Sequence, residues 1–167
     1  MEIKRVLKSQ YHAALATLRE AIEQCDDELW LAGVPAPTWQ VAYHAVFYTH
    51  LYLQPRDEDF RPWEHHREQA QFLEELPWPP HDKPDPGEPY TRRQVLDYWR
   101  EVDEMIDLGV ERLDLQAEDC GFWWYKLTKL EHQFMNVRHV EHHTGQIAQR
   151  LRDAGHDGVS WIGGGRA

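Results

Sequence analysis

The chain has 167 residues, 41% of them hydrophobic and 12% aromatic, which is enough apolar material for one domain whose core needs no disulfide or metal to stabilise it. Its formal net charge of -11 repels nucleic-acid phosphates and anionic lipid head groups, so neither nucleic acid nor a membrane surface is an expected partner. No apolar run suits a secretory signal or a membrane span, and two cysteines are too few for a disulfide framework, so we expect a single cytoplasmic domain over residues 1–167.

The first predicted element is a long amphipathic helix over residues 3–30. Its apolar residues recur every three or four positions, which is the spacing of one helix face: Ile3, Leu7, Tyr11, Ala14, Leu18, Ala21, Cys25 and Leu29. Cys25 lies on this stripe and is predicted to be a core residue. The segment AGVPAP then ends the helix, because Pro35 and Pro37 lack the amide donors that a helix requires.

A second helix is predicted over residues 38–54, with Thr38 as its N-cap and a proline closing it. His44 borders its buried side, which is marked by Val41, Ala45, Tyr48 and either Leu51 or Tyr52. Residues 55–89 are rich in proline and are predicted to form a long crossover connection. Within it, only residues 67–76 have the composition of a short helix.

Two further helices complete the predicted fold. Thr91 caps the third helix, and the fourth covers residues 127–154 and ends at Gly155. Cys120, in the loop between them, is a candidate reactive thiol that no neighbouring charge supports. Because no strand-like alternation or internal repeat is found, the chain is predicted to be all-α, a four-helix bundle with a long crossover connection between the second and third helices.

The fourth helix carries polar residues at the spacing of a packing seam: His132, Asn136, His139, His143, Gln146 and Arg150. Polar groups at core spacing cost free energy unless they are hydrogen-bonded or bind something. His139 and His143 stand at i and i+4, so they project from the same face and can offer two imidazoles to one ion. A pair binds weakly, and His44 is the leading candidate for a third ligand. The alternative, that the pair consists of ordinary core or interface histidines, stays open at this stage.

A zinc-protease helix is a less favoured explanation of the same pair. Its motif places glutamate directly after the first histidine, where this chain has Val140. Glu141 is rotated by about 200° from His139 and would face away from an ion. The remaining histidines fit other roles: His65, His66, His81 and His156 are predicted at the surface, His12 partly buried, and His50 on the side opposite His44.

Two segments, TWQVAYHAVFYTH over residues 38–50 and NVRHVEHHTGQIAQRLRDAG over residues 136–155, resemble the DinB-like superfamily of metal-binding four-helix bundles. This superfamily is unrelated to the DNA polymerase of the same name. The matching positions are Trp39, His44, His139, His143, Gly145 and Gln146. The chain departs from the family pattern at Thr144, where arginine is frequent.

The resemblance implies a mononuclear site in which His44, His139 and His143 hold a divalent transition metal and leave other positions open to water or substrate. Zinc and nickel are the first expectations, while imidazole ligands also suit iron or copper, and manganese is a further candidate. His132 and Asn136 are candidates for orienting the imidazole rings through their free nitrogens.

Characterised relatives look like thiol-dependent enzymes, among them transferases that use bacillithiol or mycothiol. The resemblance therefore implies a metal-dependent thiol S-transferase with a small electrophilic substrate and a low-molecular-weight thiol as partner, and it implies a homodimer. Two alternatives stay open, a metal-water hydrolase and a non-catalytic metal-binding or stress protein. The aromatic cluster Trp123, Trp124 and Tyr125 is expected to serve core or dimer packing more than substrate binding.

Overall fold

The computed structural model describes residues 2–165, which form helices joined by turns and loops. The α-helices are α1 (Glu2–Gln24), α2 (Asp27–Leu31), α3 (Thr38–Tyr52), α4 (Arg92–Arg112) and α5 (Lys129–Asp153), and a short 3₁₀-helix covers Asp57–Asp59. No strand occurs in this part of the chain, which confirms the predicted all-α class. None of the helices described has both the length and the apolar character to cross a membrane.

The prediction of a single helix over residues 3–30 is wrong. Helix α1 ends at Gln24, and the separate short helix α2 begins at Asp27. Asp26 is the reason for the break: its carboxylate accepts a hydrogen bond from the amide of Leu29 at 2.8 Å. An aspartate that caps a new helix competes with continuation of the old one. Cys25, at the break, is fully buried as predicted.

Helix α3 is buried on nearly all sides. Only His44 and Tyr48, one turn apart, are partly exposed. The prediction that Thr38 is the N-cap is wrong by one residue, since Pro37 holds that position without a side-chain bond. Thr38 instead donates its hydroxyl hydrogen to the carbonyl of Ala32, which joins α3 to the preceding turn.

The segment between α3 and α4 packs on α3 and lacks the short helix predicted over residues 67–76. Gln69 adopts a φ of 68°, a left-handed conformation that interrupts a right-handed helix. The carbonyls that follow bond to α3 side chains: Gln40 donates to Phe72 at 2.6 Å, and His44 contacts Gln71. Residues 71 and 72 thus bond to side chains of α3 in place of helical bonding within residues 67–76.

Thr91 is the N-cap of α4 as predicted, and both α4 and α5 begin with a capping box, at Thr91 and at Thr128. Gly155 follows α5 with a φ of +87°, which fits its predicted role in ending the helix. Helix α1 packs against α4 and α5, and α3 packs against the same two helices. This arrangement brings the face of α3 that carries His44 against the histidine seam of α5.

Candidate metal centre

Three histidines from two helices converge on one point. His44 of α3 lies with its Nε2 atom 2.9 Å from Nε2 of His139, and Nε2 of His143 lies 3.0 Å from the same atom. His139 and His143 come from successive turns of α5, which confirms that the i, i+4 spacing places them together. The structure therefore brings together all three residues that the sequence selected as metal ligands.

Hydrogen bonds to the outer nitrogens orient two of the rings. Nδ1 of His44 donates to the backbone carbonyl of Gln71 at 2.6 Å, and Nδ1 of His143 donates to Oε1 of Gln146 at 2.8 Å. Because a neutral imidazole carries one N–H, these bonds leave the Nε2 lone pairs directed at the shared point. Such outer bonds are typical of histidines that bind metals.

Burial keeps the three rings neutral. It lowers the pKa of His44 well below its ordinary value, and the neighbouring imidazoles of His139 and His143 lower it further. Burial, with help from His143 and His142, lowers the pKa of His139 to about 3. The pKa of His143 is also lowered by burial, against the opposing bond to Gln146. At neutral pH all three rings thus have an uncharged form suited to bind a cation.

The residues present fit a transition-metal ion. The Nε2 lone pairs of His44 and His143 both face Nε2 of His139. Nε2 of His139 carries at most one hydrogen, so it cannot donate a full hydrogen bond to both neighbours. Around a tetrahedral ion with metal–nitrogen distances of about 2.0–2.1 Å, ligand nitrogens are about 3.3 Å apart. The two distances to Nε2 of His139 are a few tenths of an ångström shorter than this, and all three ligand atoms lie within 4.8 Å of one another. Within residues 2–165, this group of metal-ligating side chains contains no carboxylate or thiol.

His132 and Asn136, the sequence candidates for orienting the rings, have other partners. Asn136 donates its amide hydrogens to the hydroxyl of Tyr11 at 3.0 Å and to the carbonyl of Thr49 at 3.4 Å. His132 lies among aromatic rings, with Tyr52 4.6 Å away between ring centres. Among the hydrogen bonds of the described residues, neither reaches a ligand ring. The role of Gln146 as partner of His143 could have been predicted from the sequence, since Gln146 lies one turn after His143. The contact of His44 with Gln71 could not, because a backbone carbonyl is present at every residue.

Tyr48 is the aromatic neighbour of the site. Its ring centre lies 4.6 Å from that of His44 and 5.6 Å from that of His139, so it contacts ligands from both helices. Burial and the nearby Tyr125 raise the pKa of Tyr48 to about 12. The apolar spacing predicts Tyr48 only on the buried side of α3, although its position one turn after His44 indicates contact with a ligand.

Other sequence candidates lie away from the three histidines or in different environments. Cys120 is fully buried, so its thiol is closed to solvent, and Trp123 is 84% exposed. His66, predicted at the surface, is half-buried and bonds to the hydroxyl of Tyr43 at 2.6 Å. His50 is buried against Tyr98, on the side of α3 away from His44 as predicted.

No protein-family model, no curated protein and no solved structure matches this chain. The resemblance to the DinB-like superfamily therefore stays a prediction from two sequence segments. The geometry of the three histidines stands independently of it.

Proposed function

We propose that this protein is a metal-dependent enzyme that transfers a low-molecular-weight thiol to an electrophilic small molecule. His44, His139 and His143 would hold one divalent transition metal, with zinc or nickel the first expectation. The observation that carries the proposal is the convergence of three uncharged imidazole nitrogens, with two rings oriented from behind. The proposal includes a four-helix bundle of the DinB-like type, a homodimer and a cytoplasmic location.

The ligand set supports catalysis more than structural metal binding. Structural zinc sites usually have four protein ligands, whereas three leave a position for a reacting molecule. When bound, a divalent ion with neutral ligands keeps its full positive charge and lowers the pKa of a coordinated thiol or water. The carbonyl of Gln71 and the amide of Gln146 hold the rings in the tautomer that this binding requires.

The absence of a carboxylate from the described group favours thiol chemistry over hydrolysis. Zinc hydrolases of the protease type place a glutamate beside the ion as general base. Here the pKa of His44 and that of His139 are lowered first by burial and then by neighbouring histidines, and no carboxylate is among the groups that shift them. A thiol that has lost its proton on binding needs no further base to act as a nucleophile.

Metal analysis tests the site. Protein purified without chelators is expected to contain about one transition-metal ion per chain, and His143→Ala is expected to lose it. His65→Ala is the matched control, because His65 is an exposed histidine outside the ligand group. A metal-free parent, or a His143→Ala variant that keeps its metal, would contradict the proposed site.

Turnover of an electrophile such as 1-chloro-2,4-dinitrobenzene with a panel of thiols tests the reaction. We expect thiol-dependent turnover in the metal-loaded parent that His143→Ala abolishes. Turnover of ester substrates without thiol would favour the metal-water hydrolase instead. Metal binding without any turnover across the panel would favour a non-catalytic metal-binding protein.

A further inference from the structure

Tyr48 lies beside His44 on the partly exposed side of α3. In α3, only His44 and Tyr48 are partly exposed, and every other residue of the helix is buried. Side chains of an α-helix lean toward its N-terminus, so Tyr48 leans back toward His44. The contact of its ring with both His44 and His139 places it across the junction of the two ligand-bearing helices.

The hydroxyl of Tyr48 differs from those of the other tyrosines. The chain has seven tyrosines, and within residues 2–165 Tyr48 is the one whose hydroxyl has no hydrogen-bond partner. The other six bond to protein groups: Tyr11, Tyr43, Tyr52, Tyr90, Tyr98 and Tyr125. The Tyr48 hydroxyl oxygen is also not one of the fully buried polar atoms that lack a hydrogen-bond partner. The Tyr48 hydroxyl thus has no partner among the described residues and is not fully enclosed, on a ring that contacts two of the three ligand histidines.

The electrostatics of the site indicate what kind of ligand would use this hydroxyl. Three neutral imidazoles leave the charge of a divalent ion uncompensated, and no carboxylate belongs to the group among the described residues. A partly buried, uncompensated cation favours an anionic ligand, because the surrounding dielectric is lower than that of water. A ligand with two oxygen atoms could use both the ion and the hydroxyl.

We propose that the centre binds a carboxylate, one oxygen on the metal ion and the other accepting a hydrogen bond from the Tyr48 hydroxyl. This inference rests on the proposed metal site and narrows its ligands to molecules that carry a carboxylate. Hydrogen bonds to charged groups are the stronger class, and their loss typically costs about tenfold or more in affinity. His142 is a weaker candidate donor, because its ring contacts His143 alone among the ligands.

Binding of acetate to Co²⁺-loaded protein tests the proposal without any turnover. Acetate is titrated while the visible absorption of Co²⁺ is followed, and bromide is titrated in parallel as a one-atom anion that cannot bridge the ion and a hydroxyl. Tyr48→Phe is expected to weaken acetate binding about tenfold and to leave bromide binding within about twofold. Tyr52→Phe, one turn further along α3 with its hydroxyl bonded to Tyr125, is the matched control and should change neither.

The outcomes separate this inference from the function on which it rests. If the parent binds no Co²⁺, the metal site fails and the carboxylate site fails with it. If Co²⁺ binds and acetate affinity is equal in the parent and in Tyr48→Phe, only the role of Tyr48 is overturned. Equal losses of acetate and bromide affinity in Tyr48→Phe would also overturn it, since they indicate a general change in the ion's surroundings.

Discussion

Replacing Gln146 with leucine tests how much the outer hydrogen bond contributes to metal affinity. Oε1 of Gln146 accepts the Nδ1 hydrogen of His143 at 2.8 Å and so fixes both the tautomer and the angle of that ring. Removing such an outer partner typically lowers metal affinity 10- to 100-fold, by about 1.4–2.7 kcal/mol. We expect the lower end, about tenfold, because Gln146 is exposed and water can replace its carbonyl oxygen.

The assay is competition for Zn²⁺ between the protein and a chromophoric chelator. Gln149→Leu is the matched control, because Gln149 is equally exposed on α5 but bonds to Asp153, away from the histidines. The free energy of unfolding of both metal-free variants should stay within about 0.5 kcal/mol of the parent in urea. Unchanged Zn²⁺ affinity in Gln146→Leu, or an equal loss in Gln149→Leu, would refute the role assigned to this bond.

Two predictions concern stability. Lys129→Met should lower the free energy of unfolding, measured in urea, by about 3 kcal/mol. The buried ammonium of Lys129 donates hydrogen bonds to the carbonyls of Gln54, Pro55 and Cys120. These bonds connect the end of α3 to the start of α5. His50→Gln should flatten the dependence of metal-free stability on pH. Burial lowers the pKa of His50 to about 4, so the unfolded chain binds the extra proton and stability falls as the pH drops from about 6.5 to 4.

Between about pH 6.5 and 4, His50 is expected to change the free energy of unfolding by up to about 1.4 kcal/mol per pH unit. This change is measured as the difference between parent and His50→Gln in urea unfolding at several pH values. Parallel curves for the two proteins would count against the buried neutral state of His50. For Lys129, an exposed neighbour provides the comparison: Lys126→Met should leave stability nearly unchanged, and a similar loss there would show that the effect is not specific to the buried ammonium.

Features that depend on local rules could be predicted from the sequence. The N-cap at Thr91 and the C-terminal glycine of α5 are decided by residues within one turn, and both were found where expected. The pairing of His139 with His143 follows from helix geometry alone. His44 required the resemblance or the packing of α3 on α5, because no local pattern links residues so far apart in the chain.

The errors occur where one side chain or tertiary bond outweighs a periodic pattern. Apolar spacing continues through Asp26, yet its carboxylate caps a new helix there. The segment over residues 67–76 has helical composition, but its carbonyls bond to Gln40 and His44 of α3. Asn136 was expected to orient a ligand ring, but its side chain faces α1, which packs on this part of α5. There it donates a hydrogen bond to the hydroxyl of Tyr11.

The most direct test of the three-histidine centre is X-ray absorption at the metal edge of protein loaded with one equivalent of Zn²⁺. We expect about three imidazole nitrogens at about 2.0–2.1 Å, with outer-ring scattering from three histidines and no sulfur until a thiol is added. A spectrum with fewer than three imidazoles, or with protein sulfur in the absence of added thiol, would contradict it.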